Sequence, residues 1–519
     1  MKKINTYIFT VIAAVVFFSC DDFLDTMPDN RVEINTKEKI TQLLVSAYPK
    51  NSAALIAELS SDNARDNGSL YSPYNREQED AYLWKEITST GNDATKAVWE
   101  GHYAAIAAAN AAIDAIDKMK NPADLEGQKG EALIARAYAH FALANVFCLP
   151  YNPQTANSDM GLPYSNKPET KVKIMYSRGN MEEFYAHIDK DIEAGLPLIK
   201  DEIYSVPKYH FNKAAACAFA ARFYLFYHKY DKCIQYATEA LGSNPEALIS
   251  RWARIASMAS NFKVRSDAYI SADEAGNFIL MPCYSSWPYV HGPYRIAERY
   301  GHHQSIFEKE SVRANGPWGS MRNLYIANSV WGLEQKLLVT KIGPYFEYTD
   351  KAAGIGYLHS VTVPFTAGET LLCRAEAYIL QSKFAEGVAD INTWIKGNCT
   401  PTTSLKSQED LVDFYEKIPF MPLQVEKDEE RSIKKHINPQ GFSVSQGVQE
   451  NLIHCILHLR RIESVHEGGR WYDIKRYGIE ISHNRDELTD DILRKDDPRR
   501  AIQIPQDVRS AGLTPNPRN

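Results

Sequence analysis

Apolar positions that recur at intervals of three and four run through most of this chain, and they predict helices. Residues 94–119 are alanine-rich and stop at Asn121-Pro122; residues 125–147 follow and stop before Pro150. Good helix formers, clear stop signals and a short connection predict an antiparallel pair. A second pattern repeats. Ala221, Tyr224, Cys233, Ala237, Ala240 and Pro245 carry the spacing of a tetratricopeptide unit, ending in YDKCIQYATEALGSNP. Small residues suit that spacing because the paired helix axes approach closely there. Ala375, Tyr378 and Gly387 reproduce the offsets, although this copy lacks the closing proline and carries Trp394 at a small-residue position. Ala135 and Tyr138 begin a third copy that then diverges.

The pattern breaks between the repeats. From about 250 to 366 the chain is rich in Gly, Pro and aromatics, and FILMP (278–282) and KLLVTKI (336–342) read as short strands. A second loop-rich stretch covers 397–446, and long irregular stretches in a compact protein usually carry function. The expected fold is mainly α. It has a tetratricopeptide-type helical-repeat scaffold at about 35–245 and 367–480, irregular aromatic-rich insertions and a few short strands.

The N-terminus departs from all of this. Lys2 and Lys3 precede an apolar run over 7–18, shorter than the ~20 residues a membrane span needs and typical of a secretory signal. Ser19-Cys20 closes the run and Asp21, Asp22, Phe23, Leu24 and Asp25 follow. This looks like a lipoprotein signal, with residues 1–19 removed and Cys20 lipidated.

Composition narrows the function. With 44% hydrophobic residues the chain is not disordered, and a net charge of -7 without a basic block argues against nucleic acid as partner. Thirty Tyr against twenty Phe suits wet binding surfaces as well as cores. After Cys20, seven cysteines remain with no zinc-type spacing, and Cys148, Cys217, Cys233, Cys373 and Cys455 sit in apolar helical patterns as expected core residues.

Several segments, in order, resemble the SusD/RagB family of outer-membrane nutrient-binding lipoproteins. They are CDDFLD after the signal, VWEGHYAAIAAAN (98–110), EALIARAYAHFALANVF (131–147), DMGLPY (159–164), LLCRAEAYIL (371–380) and LRRIESVHEGGRWYDIKRYG (459–478). The chain departs from the family pattern at Leu459 and Val508. The resemblance implies a single SusD-like domain over 20–519, lipid-anchored in the outer membrane and facing the cell exterior. It implies a non-catalytic protein that binds oligosaccharide, or alternatively peptide, and delivers it to a SusC-like TonB-dependent transporter. Two other classes stay open, a tetratricopeptide adaptor for proteins and an extracellular glycoside hydrolase.

Catalytic motifs are missing. There is no GxSxG, no HExxH and no Walker pattern; His466-Glu467 runs into Gly468, Gly469 and Arg470, and GIGYLH (354–359) lacks a third glycine. His454 and His458, one helical turn apart, read as a polar helix face, and adjacent His302 and His303 should diverge. No catalytic residue, cofactor or metal ligand is assigned. The charges from Arg460 to Arg476 read as a structural, salt-bridged helix in which Trp471 anchors packing.

A ligand surface needs flat aromatics for the C–H faces of sugars and polar groups for the hydroxyl rim. Two segments offer both, 60–84 and 284–331. Their candidates are Asp62, Asn63, Arg65, Asp66, Asn67, Tyr71 and Tyr74, and then Trp287, Tyr289, His291, Tyr294 and Trp318. Trp99 is expected in the core.

Overall fold

The computed structural model describes residues 34–169, 176–293, 297–486 and 488–518. The signal segment, Cys20 and Tyr294 lie outside them. The fold is mainly α, and buried apolar residues from Ile40 to Leu513 form one contiguous cluster.

The opening pair comprises Thr95–Asp117 and Glu126–Phe147, joined by a short 3₁₀ turn that Pro122 begins. Ala105, Ala109 and Ala112 on one helix and Ala132, Ala135 and Ala139 on the other are buried. The second helix also packs on Met181–Gly195 with almost no clearance, since a Cβ on Gly130 would stand 2.8 Å from the Gly195 carbonyl oxygen.

The repeats are present. Lys213–Phe226 pairs with Tyr230–Leu241, and Ala367–Leu380 with Phe384–Asn398. Their likeness extends to the backbone. The turns contain His228 (φ 59) and Ser382 (φ 60), both left-handed. These positions are 154 apart, the same offset as Ala221 to Ala375 (382 − 228 = 375 − 221). Each turn is closed by the same bond, Lys229 N–H to the Tyr224 carbonyl and Lys383 N–H to the Tyr378 carbonyl, both 2.9 Å. Such a conformation is costly for a residue with a side chain, so the surrounding turn must enforce it. Gly387 marks the closest approach, because a Cβ there would meet Ile379 Cγ1 at 2.6 Å. Trp394, at the small-residue position, is buried and turns its Nε1 to Glu463 at 3.3 Å. The third copy diverges because Glu126–Phe147 finds its second helix only after an insertion, at Met181–Gly195.

Ala221 is fully buried. Ala221→Leu should therefore overpack this contact by roughly 1–3 kcal/mol and lower the melting temperature. An unchanged melting temperature would show room that this packing does not allow.

Two boundaries differ from the sequence reading. The stretch after 250 begins with helices, Arg251–Ser257 and Phe262–Tyr269, the latter capped by Asn261. Neither carries a continuous apolar stripe, so periodicity misses them. Residues 397–446 include the helix Gln408–Lys417, held by a capping box between Ser407 and Asp410, with only Leu411 and Tyr415 buried. The expected strands form as Asn277–Tyr284 and Lys336–Val339. Two further strands, Tyr345–Asp350 and Ile355–Thr366, complete an antiparallel three-stranded sheet with Ile355–Thr366 central.

The seven cysteines from Cys148 to Cys455 are buried and none is in a disulfide. Among the described residues no helix is long and apolar enough to cross a membrane.

Candidate functional site

The structure docks the two candidate segments on each other. Arg65–Asp66 pairs as a short antiparallel strand with Tyr300–Gly301. Asn67 Nδ2 donates to the carbonyls of Glu298 and Gln335 at 2.8 and 2.9 Å, and Gln335 Nε2 donates to the Tyr71 hydroxyl at 2.8 Å. Asn75 caps the helix Arg76–Tyr82 through Gln78 N–H and reaches Ser286 Oγ at 3.4 Å. Tyr74 stacks on Tyr289 with ring centres 6.0 Å apart.

Six of the candidates turn inward, which corrects their reading as ligand contacts. Asp62 is buried among cations: Arg470 binds it bidentately at 2.8 and 2.9 Å, and Lys435 at 2.5 Å. Burial alone would raise its pKa, but Arg461, Arg470 and Lys435 hold it well below the usual carboxylate range. Asn63 is buried between Glu58 and Arg461, at 2.9 and 2.8 Å. Asp66 pairs with Arg299 through both oxygens, at 3.1 and 3.2 Å. Trp287 is 2% exposed and its Nε1 donates to the His466 carbonyl at 2.6 Å. His291 is buried beside His302 and His466, and Trp318 beside Trp394 and His458. Within the stretch read as irregular, Trp287–His291 is a short helix with Pro288 in its first turn, and its indole turns inward. Arg65 is half-buried and tied to Asp428 at 3.1 Å and Ser305 at 3.2 Å.

The 460–476 charges are structural, but apart from a long Arg476–Asp473 contact at 3.9 Å their ion-pair partners lie more than one turn away. Arg460 and Arg476 flank Glu376, Arg251 meets Glu463 at 2.8 Å, and Arg461 meets Glu310 at 3.0 Å. Glu376 is fully buried; the two arginines overcome the upward push of burial and bring its pKa to about 2. Trp471 is fully buried, as expected. His454 and His458 belong to the core rather than to a polar face; burial pushes both down to about 3. His302 and His303 diverge, His302 pointing inward and His303 capping the helix Gln304–Lys309.

What remains at the surface is aromatic. Tyr71, Tyr74 and Tyr289 are half-buried beside exposed Leu70. Five residues before Tyr289, Tyr284 ends its strand and packs on exposed Tyr357, ring centres 5.2 Å apart. Tyr284 floors a cleft of about 360 Å³ with Lys50, Tyr209, Glu347 and His359. Sequence reading missed this cleft. GIGYLH was tested only as a nucleotide loop, whereas 355–366 is a strand whose alternation puts Tyr357 and His359 on one face. A smaller cleft of about 270 Å³ lies at Trp99, Tyr103 and Tyr176; Trp99 itself is buried against Phe147.

Comparison with known proteins follows the fold. Residues 22–225 match the SusD-like family model described as starch-binding, associating with the outer membrane. No curated protein matches the chain. The fold is similar to the crystal structure of a SusD superfamily protein from Bacteroides thetaiotaomicron, with TM-score 0.63 and 16% identity over 92% of this chain and 98% of that one. It is also similar to a SusD-like carbohydrate binding protein from Bacteroides vulgatus, with TM-score 0.62 and 14% identity over 91% and 96%. A SusD superfamily protein from Bacteroides fragilis gives TM-score 0.61 and 17% identity over 92% and 99%.

Proposed function

Starting from a chain that is SusD-like in fold and in its family match, we propose a cell-surface protein that binds oligosaccharide without cleaving it. In this reading Cys20 carries the lipid that holds it to the outer membrane, and the bound glycan passes to a SusC-like TonB-dependent transporter. One observation carries the binding part: Tyr284 packs on exposed Tyr357 beside the cleft with Lys50, Glu347 and His359, while half-buried Tyr71, Tyr74 and Tyr289 add aromatic surface, Tyr74 stacked on Tyr289. Rings with one face accessible and polar groups at their edge suit a sugar's C–H face and its hydroxyl rim. The family description as starch-binding and the relative named as carbohydrate binding support this ligand class. Glycoside hydrolysis generally needs two carboxylates at a set separation, and Glu347 is the sole carboxylate among the described residues lining the cleft.

A glycan array followed by calorimetry on the protein tests the reading. Tyr289→Ala and Tyr284→Ala should each weaken a glycan found in this way by on the order of 1–3 kcal/mol, by analogy with bases stacked on aromatics. That is roughly tenfold or more in Kd. The melting temperature should barely change, since both rings are only half-buried. Binding of peptides but no glycan would replace the ligand class; full affinity in both variants would move the site away from these tyrosines.

A further inference from the structure

We propose that His291, His302 and His466, together with Glu58, form a buried zinc site. The four residues come from separate places: the short helix Trp287–His291, the end of the Tyr300–Gly301 strand, the turn before Gly469–Arg476, and the helix Ala54–Ser60. All are at most 1% exposed. One ring nitrogen from each histidine lies within 4.8 Å of the other two. Glu58 Oε1 is 3.0 Å from His302 Nε2. The ring centres stand 4.9, 5.6 and 4.3 Å apart. Three imidazoles bound tetrahedrally to one zinc at ~2.0–2.1 Å would have centres about 5 Å apart.

A second observation points to a ligand. Among the described residues, neither nitrogen of His291 has a hydrogen-bond partner, nor does Nδ1 of His466. A buried imidazole with both nitrogens unsatisfied is costly, and such groups ask for an explanation. A metal ion is the one occupant that takes lone pairs from all three rings at once. Glu58 supplies the carboxylate: it accepts the His466 and Gly468 amides at 2.8 Å each and faces His302 Nε2.

Imidazole with carboxylate selects borderline divalent ions, and a closed, buried set of four suits structural zinc. Binding has one visible exchange. His466 Nε2 accepts the Val339 N–H at 3.0 Å. Ligation through Nδ1 moves the ring proton to Nε2, so that hydrogen bond gives way to the metal bond. The site would join elements hundreds of residues apart and be loaded as the chain folds.

The test is metal content and stability of the full chain. Protein refolded with zinc and then desalted should hold about one zinc per chain, and refolding with chelator should lower the melting temperature by several degrees. Refolding with Co²⁺ should give visible absorption of a tetrahedral site, and His291→Gln should lose it. If that variant does not fold, the wild-type content and chelator response decide. Content below about a tenth of an ion per chain after refolding with zinc, or equal zinc in folded His291→Gln, would overturn the site.

Discussion

Asp62→Ala should destabilise the protein by about 3–5 kcal/mol, the usual cost of removing one partner from a buried ion pair. Three cations converge on this carboxylate, and they differ little in burial from it: Arg461, Arg470 and Lys435. Only Glu310 remains to share Arg461 and Lys435, at 3.0 and 3.3 Å, and it already serves Arg431 at 2.7 Å. Among the described residues Arg470 would keep no carboxylate of its own. Urea unfolding checks this, and a midpoint equal to wild type would refute it. The same group carries a pH dependence. Its folded pKa is depressed, so its contribution is complete above the ordinary carboxylate pKa and is lost as pH falls through the folded value. Glu376 behaves alike, from an ordinary 4.5 to about 2. Wild type should therefore lose stability between about pH 4.5 and 2, and Asp62→Ala should show a shallower acid limb. Asp473, whose pKa burial raises, opposes the trend and blunts it.

Trp287→Ala should cost about 3–5 kcal/mol, in stability and not in affinity. The indole is buried, and its Nε1 bond to the His466 carbonyl at 2.6 Å would leave a buried acceptor without its donor. Melting and glycan binding measured on the same sample separate the cases. A large melting shift with unchanged affinity of the folded fraction is expected. Lost affinity at an unchanged melting temperature would return Trp287 to the ligand surface. Tyr289, two residues on and half-buried, should behave the opposite way.

These contrasts show where sequence reading reaches its limit. The repeat pairs were legible because small residues at Ala221, Cys233 and Gly387 report a contact between helices adjacent in the chain. Segments 60–84 and 284–331 stood out because both mix aromatics with polar residues, but their docking on each other was not legible. Which of their side chains face water was not. Asp62 and Tyr71 lie nine residues apart in one polar segment, yet one meets Arg470 in the interior and the other lies at the surface. Partners hundreds of positions away decide this, and local composition does not encode them. The helix Gln408–Lys417 escaped for a smaller reason, with only two buried residues to mark its stripe.

The span of those contacts sets how the chain can fold. Asp62 and Asn63 meet Arg461 across separations of 399 and 398 residues, and Glu58 holds the His466 and Gly468 amides across 408 and 410. The helix carrying Glu58 therefore emerges early in synthesis but cannot complete its polar contacts until residues near 470 exist. Closing such a loop costs entropy before any contact rewards it, which makes high-contact-order assembly slow. The local repeat pairs can form first and wait as a partly assembled body. In the interval Glu58 and Asp62 stay hydrated and the strand Arg65–Asp66 is without Tyr300–Gly301, so the segment from Glu58 to Asp66 is among the last to become native. A chain ending before residue 470 should stall at that stage whatever the quality of its helices.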